Sequence, residues 1–256
     1  MKRTKILMTG LGVVAMAALY QSCTKTNFKR VANTNDDFNN KAQVQVYNAT
    51  VNTTRNYVYA DGVPLTGAPM VYTQTTATNA AHTGSGLIFL LNPGVHAFSI
   101  RDTLITSTQP PLNFAVNLDA NKFYTIFTYD STNAVKQKMV ETEIVIPSDS
   151  TARVRFANFV YWRTGTPPAM DIFSKRRNEN IFSGVTYTQV TDFIPYASTT
   201  SDSLIVRQAG TMIALDTAVF TFTPKRSYTL VFRGRYATDE TGGALFPRTL
   251  AVFTNK

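Results

Sequence analysis

The chain has 256 residues, 44% of them hydrophobic and 12% aromatic, which is enough apolar material for a globular core. Its formal net charge is +9, but the basic residues are scattered except for the triplet Lys175–Arg177, so the charge does not indicate a nucleic-acid-binding protein. A single cysteine excludes a disulfide framework. We expect the triplet to form a solvated turn, with a contact to an anion or a polysaccharide as the alternative.

The N-terminus has the pattern of an export signal. A basic start, Met1–Lys5, precedes a small and apolar run, Ile6–Leu19. That run of about 14 residues is shorter than the ~20 that a membrane-spanning helix needs. The pattern therefore predicts a signal peptide that is removed after export.

The only cysteine follows this run, in the sequence Leu19-Tyr20-Gln21-Ser22-Cys23. The segment resembles the lipobox of bacterial lipoproteins, with the small Ser22 before the cleaved bond and Tyr20 in place of the usual aliphatic residue. The resemblance implies a signal peptide at residues 1–22 and a lipid anchor on the Cys23 sulfur, where two or three acyl chains attach a protein stably to a membrane. An ordinary secretory signal with a chance cysteine is the alternative.

Residues 23–41 are polar, rich in asparagine and without periodicity, which predicts a flexible tether. Thr24 stands where an aspartate is associated with inner-membrane retention, so we expect an outer-membrane lipoprotein of a Gram-negative bacterium, on either the periplasmic or the cell-surface face. Once Lys2, Arg3 and Lys5 leave with the signal, the net charge is about +6. A basic tether suits a surface of anionic lipid head groups.

Beyond the tether, apolar and polar residues alternate with the period typical of β-strands. The segment AQVQVYN, which starts at Ala42, and the segment ARVRFAN, which starts at Ala152, share this pattern and both end in asparagine. We expect both to be half-buried strands with one apolar and one polar face. No long amphipathic helix is predicted after residue 41.

Four further segments of the first half have counterparts in the same order in the second half. NYVYADG at Asn56 matches MDIFSKR at Met170, and VYTQT at Val71 matches TYTQV at Thr186. VHAFSIR at Val95 matches DSLIVRQ at Asp202, and VNLDANKFYTIF at Val116 matches FTFTPKRSYTLV at Phe220. This order indicates a tandem duplication. The short strands and turn signals predict an all-β protein with two tandem antiparallel β-sandwich domains of immunoglobulin-like type, at residues 42–147 and 151–256.

These motifs resemble a domain-of-unknown-function family that occurs singly or in tandem in bacterial cell-envelope lipoproteins and secreted proteins. Ala152–Asn158 matches the family pattern A-x-V-R-V-x-N, Val58–Gly62 matches a D-V-Y-V-D-G-like strand, and Tyr124-Thr125 matches a G-x-x-Y-T-like strand. The second half has Lys175–Arg177 where the family has a glycine after the strand. The resemblance implies an immunoglobulin-like or transthyretin-like sandwich at the cell surface and brings no catalytic residues.

Few residues suggest catalysis or metal binding. The two histidines, His82 and His96, are too few for a metal site that needs three or four ligands. Ser85 lies near His82 but lacks the Gly-x-Ser-x-Gly elbow of serine hydrolases. We therefore expect no metal, no cofactor and no enzymatic activity, with a hydrolase on a β scaffold as a remote alternative.

The segment FVYWRTGTPP, from Phe159 to Pro168, holds the only tryptophan of the chain. Aromatic and arginine side chains in loops often contact partners or stack on sugars, which makes Tyr161, Trp162 and Arg163 candidate contact residues. Packing of this loop against the core or against the first domain is the alternative. The corresponding loop of the first half, ATVNTTRN, is polar.

The sequence as a whole predicts a lipid-anchored, non-catalytic binding or adhesion module of the cell envelope. Its expected partners are the membrane, through Cys23, and a polysaccharide or an envelope or extracellular protein. A structural component of an outer-membrane assembly is the alternative.

Overall fold

The computed structural model describes residues 40–52, 55–70, 84–85, 88–237 and 246–255. All of them belong to one compact unit, Phe38–Lys256. The predicted signal peptide, Cys23, most of the tether, His82 and the segment VYTQT lie outside the described residues, and Ser85 is described by its backbone alone.

The first half forms two four-stranded sheets. Its strands are β1 (Ala42–Asn48), β2 (Tyr57–Ala60), β3 (Val63–Pro64), β4 (Gly84–Ser85), β5 (Ile88–Leu91), β6 (Gly94–Arg101), β7 (Leu112–Leu118), β8 (Phe123–Tyr129) and β9 (Lys136–Glu141). One sheet has the strand order β5-β1-β8-β9 and the other has β3-β2-β6-β7. The remaining short strand, β4, joins a sheet of the second half.

The second half repeats this arrangement. Its strands are β10 (Ala152–Asn158), β11 (Met170–Ser174), β12 (Glu179–Val185), β13 (Ile194–Tyr196), β14 (Asp202–Gln208), β15 (Ala214–Phe220), β16 (Ser227–Arg233) and β17 (Thr249–Thr254). The order is β13-β10-β16-β17-β4 in one sheet and β12-β11-β14-β15 in the other. The predicted all-β fold with two sandwich domains is confirmed.

The pairing of the strands is also the same in both halves. The opening strand of each half pairs in parallel with a late strand, β1 with β8 and β10 with β16, whereas most other pairs are antiparallel. Val44 lies opposite Tyr124 in the first half, and Val154 lies opposite Tyr228 in the second. This common register supports the duplication that the sequence indicates.

One segment match was wrong by one residue. The sequence comparison aligned Val95 with Asp202, which makes Ile205 the counterpart of Phe98. In the structure Phe98 pairs with Ala60, and its counterpart Leu204 pairs with Ser174. The slip arises because β14 contains three successive buried apolar residues, so its sequence lacks the alternation that fixes a register.

The turns before β8 and β16 are built alike. The Tyr124 hydroxyl accepts a hydrogen bond from the Asp119 N–H at 3.2 Å, and the Tyr228 hydroxyl accepts one from the Thr223 N–H at 3.1 Å. Each tyrosine thus fixes the corner that leads into its own strand, which explains why a tyrosine recurs at this position in both halves.

Each half has its own hydrophobic core between its two sheets. The first core contains Val44, Val58, Phe98, Ile100 and Ile126. The second core contains Val154, Phe156, Ile172, Leu204 and Leu230. These residues come from alternate positions of their strands, as the period-two pattern predicts.

A third apolar cluster joins the two halves. Phe127 of the first half stacks on Phe159 of the second at 4.7 Å between ring centroids, and Tyr47 stacks on Phe253 at 4.8 Å. The sheets that contain β1 and β10 therefore pack against each other with their outer faces. The resulting central strands are buried on both sides, and β16 has no exposed residue.

The prediction that β1 and β10 are half-buried with a polar outer face was wrong. Gln45 and Arg155, which occupy equivalent positions on those polar faces, are 0% and 3% exposed. Their polar groups are satisfied across the junction rather than by water. The sequence cannot distinguish these two environments, because a polar residue on an alternating strand usually faces solvent.

Within the described residues, no helix is long and apolar enough to cross a membrane.

Candidate binding surface at the loop end

One end of the molecule collects the longer loops of both halves, and we call it the loop end. It contains residues 49–52, 102–111, 129–136, 159–169, 186–190, 209–213 and 234–237. Strands β1, β8, β10 and β16 all finish there, since they run in parallel within each half. Lys41, where the described chain enters β1, lies at the opposite end.

Contacts between the loops show that both halves contribute to this end. Arg235 Nη2 donates a hydrogen bond to Asn52 Oδ1 at 2.9 Å. Tyr129 packs against Phe159 at 5.2 Å between ring centroids. The loop end is therefore one continuous surface formed by two sandwiches.

The candidate residues Tyr161, Trp162 and Arg163 lie on this surface. The Tyr161 N–H donates to the Gly234 carbonyl at 2.7 Å, and the Tyr236 N–H donates to the Tyr161 carbonyl at 2.7 Å. These bonds fix the loop backbone. Tyr161 and Trp162 are partly exposed and Arg163 is exposed, so all three present atoms to solvent.

Trp162 rests on its own half of the molecule. Its ring lies 5.3 Å from the ring of Tyr236, at an interplanar angle of 52°. The Tyr236 carbonyl accepts a hydrogen bond from Arg248 Nη1 at 2.8 Å, which anchors the residue beneath the indole. The indole also lies over Gly165, where an added Cβ would be 3.5 Å from the ring. Trp162 is thus packed against its own half while it stays partly exposed.

A second group of aromatic residues lies where the two halves meet. We call Tyr129, Asp130, Lys136, Tyr161 and Tyr187 the junction cluster. Tyr129 meets Tyr187 edge to face at 5.9 Å, with an interplanar angle of 88°. Lys136 Nζ lies 2.8 Å from Asp130 Oδ2. The first three residues come from the first half and the other two from the second.

The electrostatics of the junction cluster favour hydrogen bonding over proton transfer. Burial raises the pKa of Tyr187 strongly, and the nearby Asp130 carboxylate raises it further. Burial also raises the pKa of Tyr129. The hydrogen bond to Asp130 raises the pKa of Lys136, so that ion pair persists at neutral pH. The cluster therefore places the neutral phenols of Tyr129 and Tyr187 beside the ion pair.

The sequence did not identify Tyr129, Asp130 or Tyr187 as site residues. Tyr187 belongs to the segment TYTQV, which attracted attention only as a repeat match. No short motif brings these residues together, since they meet only when the two halves pack. The feature of the sequence that could have indicated this cluster was the aromatic content of the second half.

His96 acts as a structural brace. Its Nδ1 lies 2.6 Å from Asp61 Oδ2 and its Nε2 lies 2.7 Å from the Asn92 carbonyl oxygen. Asp61 also accepts a hydrogen bond from the Ala97 N–H, which together with His96 lowers the pKa of Asp61. Both ring nitrogens are engaged in holding two turns, so neither is available as a general base.

Metal ligands do not cluster in the part of the chain that the structure describes, where no three His, Cys, Asp or Glu side chains could hold an ion together.

The basic triplet forms an exposed turn at the end opposite the loop end. The Arg176 N–H donates to Asp202 Oδ1 and the Arg177 N–H donates to Ser174 Oγ, both at 3.0 Å. The guanidinium of Arg177 lies 4.5 Å from the centre of the Tyr196 ring. The turn is held by its backbone, and all three of its basic residues are exposed.

A groove of about 610 Å³ also separates the halves, on the side of Phe193 and Asp192. Arg155 lies at its base, 4.7 Å from the centre of the Phe193 ring. Burial lowers the pKa of Arg155 to about 10. Its guanidinium donates hydrogen bonds to threonine hydroxyls of both halves. The groove therefore belongs mainly to the contact between the halves.

The fold and this surface define a tandem β-sandwich protein with a composite loop end. No family model matches the chain, and no curated protein matches it. Among solved structures, it is similar to the crystal structure of CBMbc, of family CBM26, from Eubacterium rectale Amy13K in complex with maltoheptaose, at 13% identity. That match covers 76% of this chain and 93% of the other, with a TM-score of 0.24. At so low a score the bound sugar carries no inference for this chain.

Proposed function

We propose that this chain is a lipid-anchored cell-envelope protein that binds its partner without catalysis, through the loop end. The observation that carries the proposal is the junction cluster, in which Tyr129 and Asp130 of one half meet Tyr161 and Tyr187 of the other. Such a composite surface exists only in the packed pair of domains. A duplicated domain would gain a site in this way that a single copy lacks.

The chemistry of the surface suits a polysaccharide. Aromatic faces stack on sugar rings, and phenolic hydroxyls and a fixed ion pair offer hydrogen-bond donors and acceptors. Trp162 adds a partly exposed indole next to the exposed Arg163. A protein partner would use the same aromatic and arginine side chains as anchors, so it is the competing outcome of the test.

The anchor proposed at Cys23 is compatible with this surface. The described chain begins at the end opposite the loop end, so an anchor ahead of residue 40 leaves the loop end free to meet a partner. Protease shaving of intact cells, with Cys23→Ala as the control, tests the envelope location. Shaving of the wild type while a periplasmic marker survives supports display on the cell surface.

The binding proposal is tested with a polysaccharide panel and the full chain carrying Cys23→Ala. Trp162→Ala and Tyr187→Phe are the test variants, and Tyr59→Phe, on the outer sheet of the first half and outside the loop end, is the matched control. Loss of a polysaccharide signal in the test variants alone supports the proposal. If every polysaccharide signal is unchanged by Trp162→Ala and Tyr187→Phe, sugar binding at the loop end is refuted.

A further inference from the structure

Open edges of β-sheets can pair with strands from other chains, and proteins usually protect them. Four edge strands in the described chain have six or more residues: β7, β9, β12 and β15. Strand β9 carries Lys136 and Lys138. Strand β12 begins with Glu179 and shifts register against its neighbour. Each has a charge or an irregularity that discourages pairing.

Strand β15, the counterpart of β7 in the second half, is also protected. It shifts register against β14 next to Arg207. Its Asp216 carboxylate accepts a hydrogen bond from the Leu250 N–H of β17 at 2.6 Å. That bond ties the edge of one sheet to the other sheet.

Strand β7 has none of these devices. Its sequence, LNFAVNL, contains no charged residue and no proline, and it pairs with β6 over seven residues without a register shift. Leu112 and Phe114 point to the core side but are only partly buried. An additional strand at this edge would cover them.

The backbone of β7 is oriented for such pairing. The Ala97 N–H donates to Asp61 Oδ1 at 2.9 Å, and its carbonyl accepts from the Asp61 N–H at 2.8 Å, so Ala97 bonds away from β7. Its partner in the ladder, Ala115, therefore directs its own N–H and carbonyl to the open edge. Asn113 and Asn117, two residues to either side, do the same.

The sequence of β7 is nearly palindromic about Ala115. In an antiparallel pair centred on this residue, Leu112 meets Leu118, Asn113 meets Asn117, and Phe114 meets Val116 of the other strand. We propose that β7 pairs in this register with β7 of a second copy of the chain, forming a symmetric dimer with one sheet continuous across both copies.

The fit between the two β7 strands follows from the residue pattern of β7. Asn113, Ala115 and Asn117 fall in the hydrogen-bonded positions, where each facing pair exchanges two backbone hydrogen bonds. Alanine at the two-fold axis avoids a clash, the asparagine amides face each other on the outer side, and the apolar residues meet on the core side. The partner is the same chain, so this proposal is independent of what the loop end binds.

Crosslinking tests the register directly. In the full chain carrying Cys23→Ala, Ala115→Cys supplies the only thiol, and a short bis-maleimide should link two copies efficiently. The matched control is Val219→Cys, on the exposed face of the counterpart strand β15. A dimer band no stronger for Ala115→Cys than for Val219→Cys would overturn the proposal.

The second test introduces charges into β7 and measures dimerisation by sedimentation. All chains again carry Cys23→Ala. Asn113→Lys with Asn117→Lys places like charges opposite each other twice, and we expect at least a tenfold weaker dimer. Asn113→Lys with Asn117→Glu places opposite charges together and should retain dimerisation. A parent chain that stays monomeric up to about 1 mM, or two double variants that behave alike, contradicts the proposal.

Discussion

Arg155 Nη2 donates a hydrogen bond to Thr142 Oγ1 across 3.0 Å, which joins the second half of the molecule to the first. The same nitrogen lies 3.2 Å from Thr125 Oγ1, and Arg155 Nε donates to Thr229 Oγ1 at 2.9 Å. On the other side of the junction, Asn255 Nδ2 donates to Gln45 Oε1 at 3.1 Å. Equivalent positions in the two halves thus satisfy each other's polar groups.

Arg155→Ala should lower the free energy of unfolding by about 2–4 kcal/mol, because it leaves buried threonine hydroxyls without their donor. Arg155→Gln, which imports the residue of the first half at this position, should be milder. Denaturant melts measure both. The control is Arg153→Ala on the same strand, and an equal loss for this variant would contradict the special role of Arg155.

Gly234→Ala should destabilise the protein by about 3 kcal/mol or more. Its φ is 96°, and an added Cβ would lie 2.1 Å from the Pro247 carbonyl oxygen. Asp130 occupies the equivalent position of the first half with a φ of 77°. Asp130→Gly should therefore keep the backbone while losing the ion pair with Lys136. Thermal melts distinguish the two variants, and an unaffected Gly234→Ala would rule out the close approach.

Asp202 should contribute to stability in a pH-dependent way. Burial alone would raise its pKa, but hydrogen bonds from Ser174, Tyr196 and the Arg176 N–H lower it below the ordinary 3.8. Its contribution is therefore complete above pH 3.8 and is lost as the pH falls through the lower folded-state value. Asp202→Asn should cost about 1–3 kcal/mol at neutral pH and flatten the acid limb of the stability curve. An unchanged acid limb would contradict the assignment.

Trp162→Ala should weaken partner binding about tenfold and change the free energy of unfolding by less than about 1 kcal/mol, because the indole is only partly buried. Isothermal titration with the partner found in the polysaccharide screen measures the first quantity, and denaturant melts measure the second. A large loss of stability would mean that Trp162 serves the fold and not the surface.

Tyr187→Phe should weaken the same binding without unfolding the protein, because it removes only a neutral hydroxyl. The effect of Tyr187→Phe on binding should disappear in a variant whose cluster is already disrupted, such as Asp130→Gly. A double-mutant cycle between these two positions tests whether they act together. Additive effects would show that the junction cluster is not one site.

The sequence was informative where local periodicity determines structure. The alternating segments at Ala42 and Ala152 form strands, and the Tyr-Thr pairs at Tyr124 and Tyr228 occupy equivalent corners. A duplicated pattern supplies two independent views of each strand. This redundancy made the two-domain fold predictable from a single chain.

Contacts between the halves could not be predicted in the same way. Gln45 and Arg155 have the sequence pattern of solvent-facing strand residues, yet both are buried. Tyr129 and Tyr187 are far apart in sequence, and only the packing of the two sheets brings them together. The candidate loop at Trp162 was recognisable by its composition, whereas the cluster beside it depends on tertiary geometry.

The packing of the two central sheets has a consequence for the order of folding. The first half is synthesised before the second, and its outer face carries Tyr47 and Phe127, which the second half covers. Until that half arrives, this aromatic face is bare and open to chaperones, proteases or a neighbouring chain. Cleavage at the boundary would therefore yield two vulnerable fragments and not two working modules. Protein quality control should recognise an interrupted chain by this exposed face.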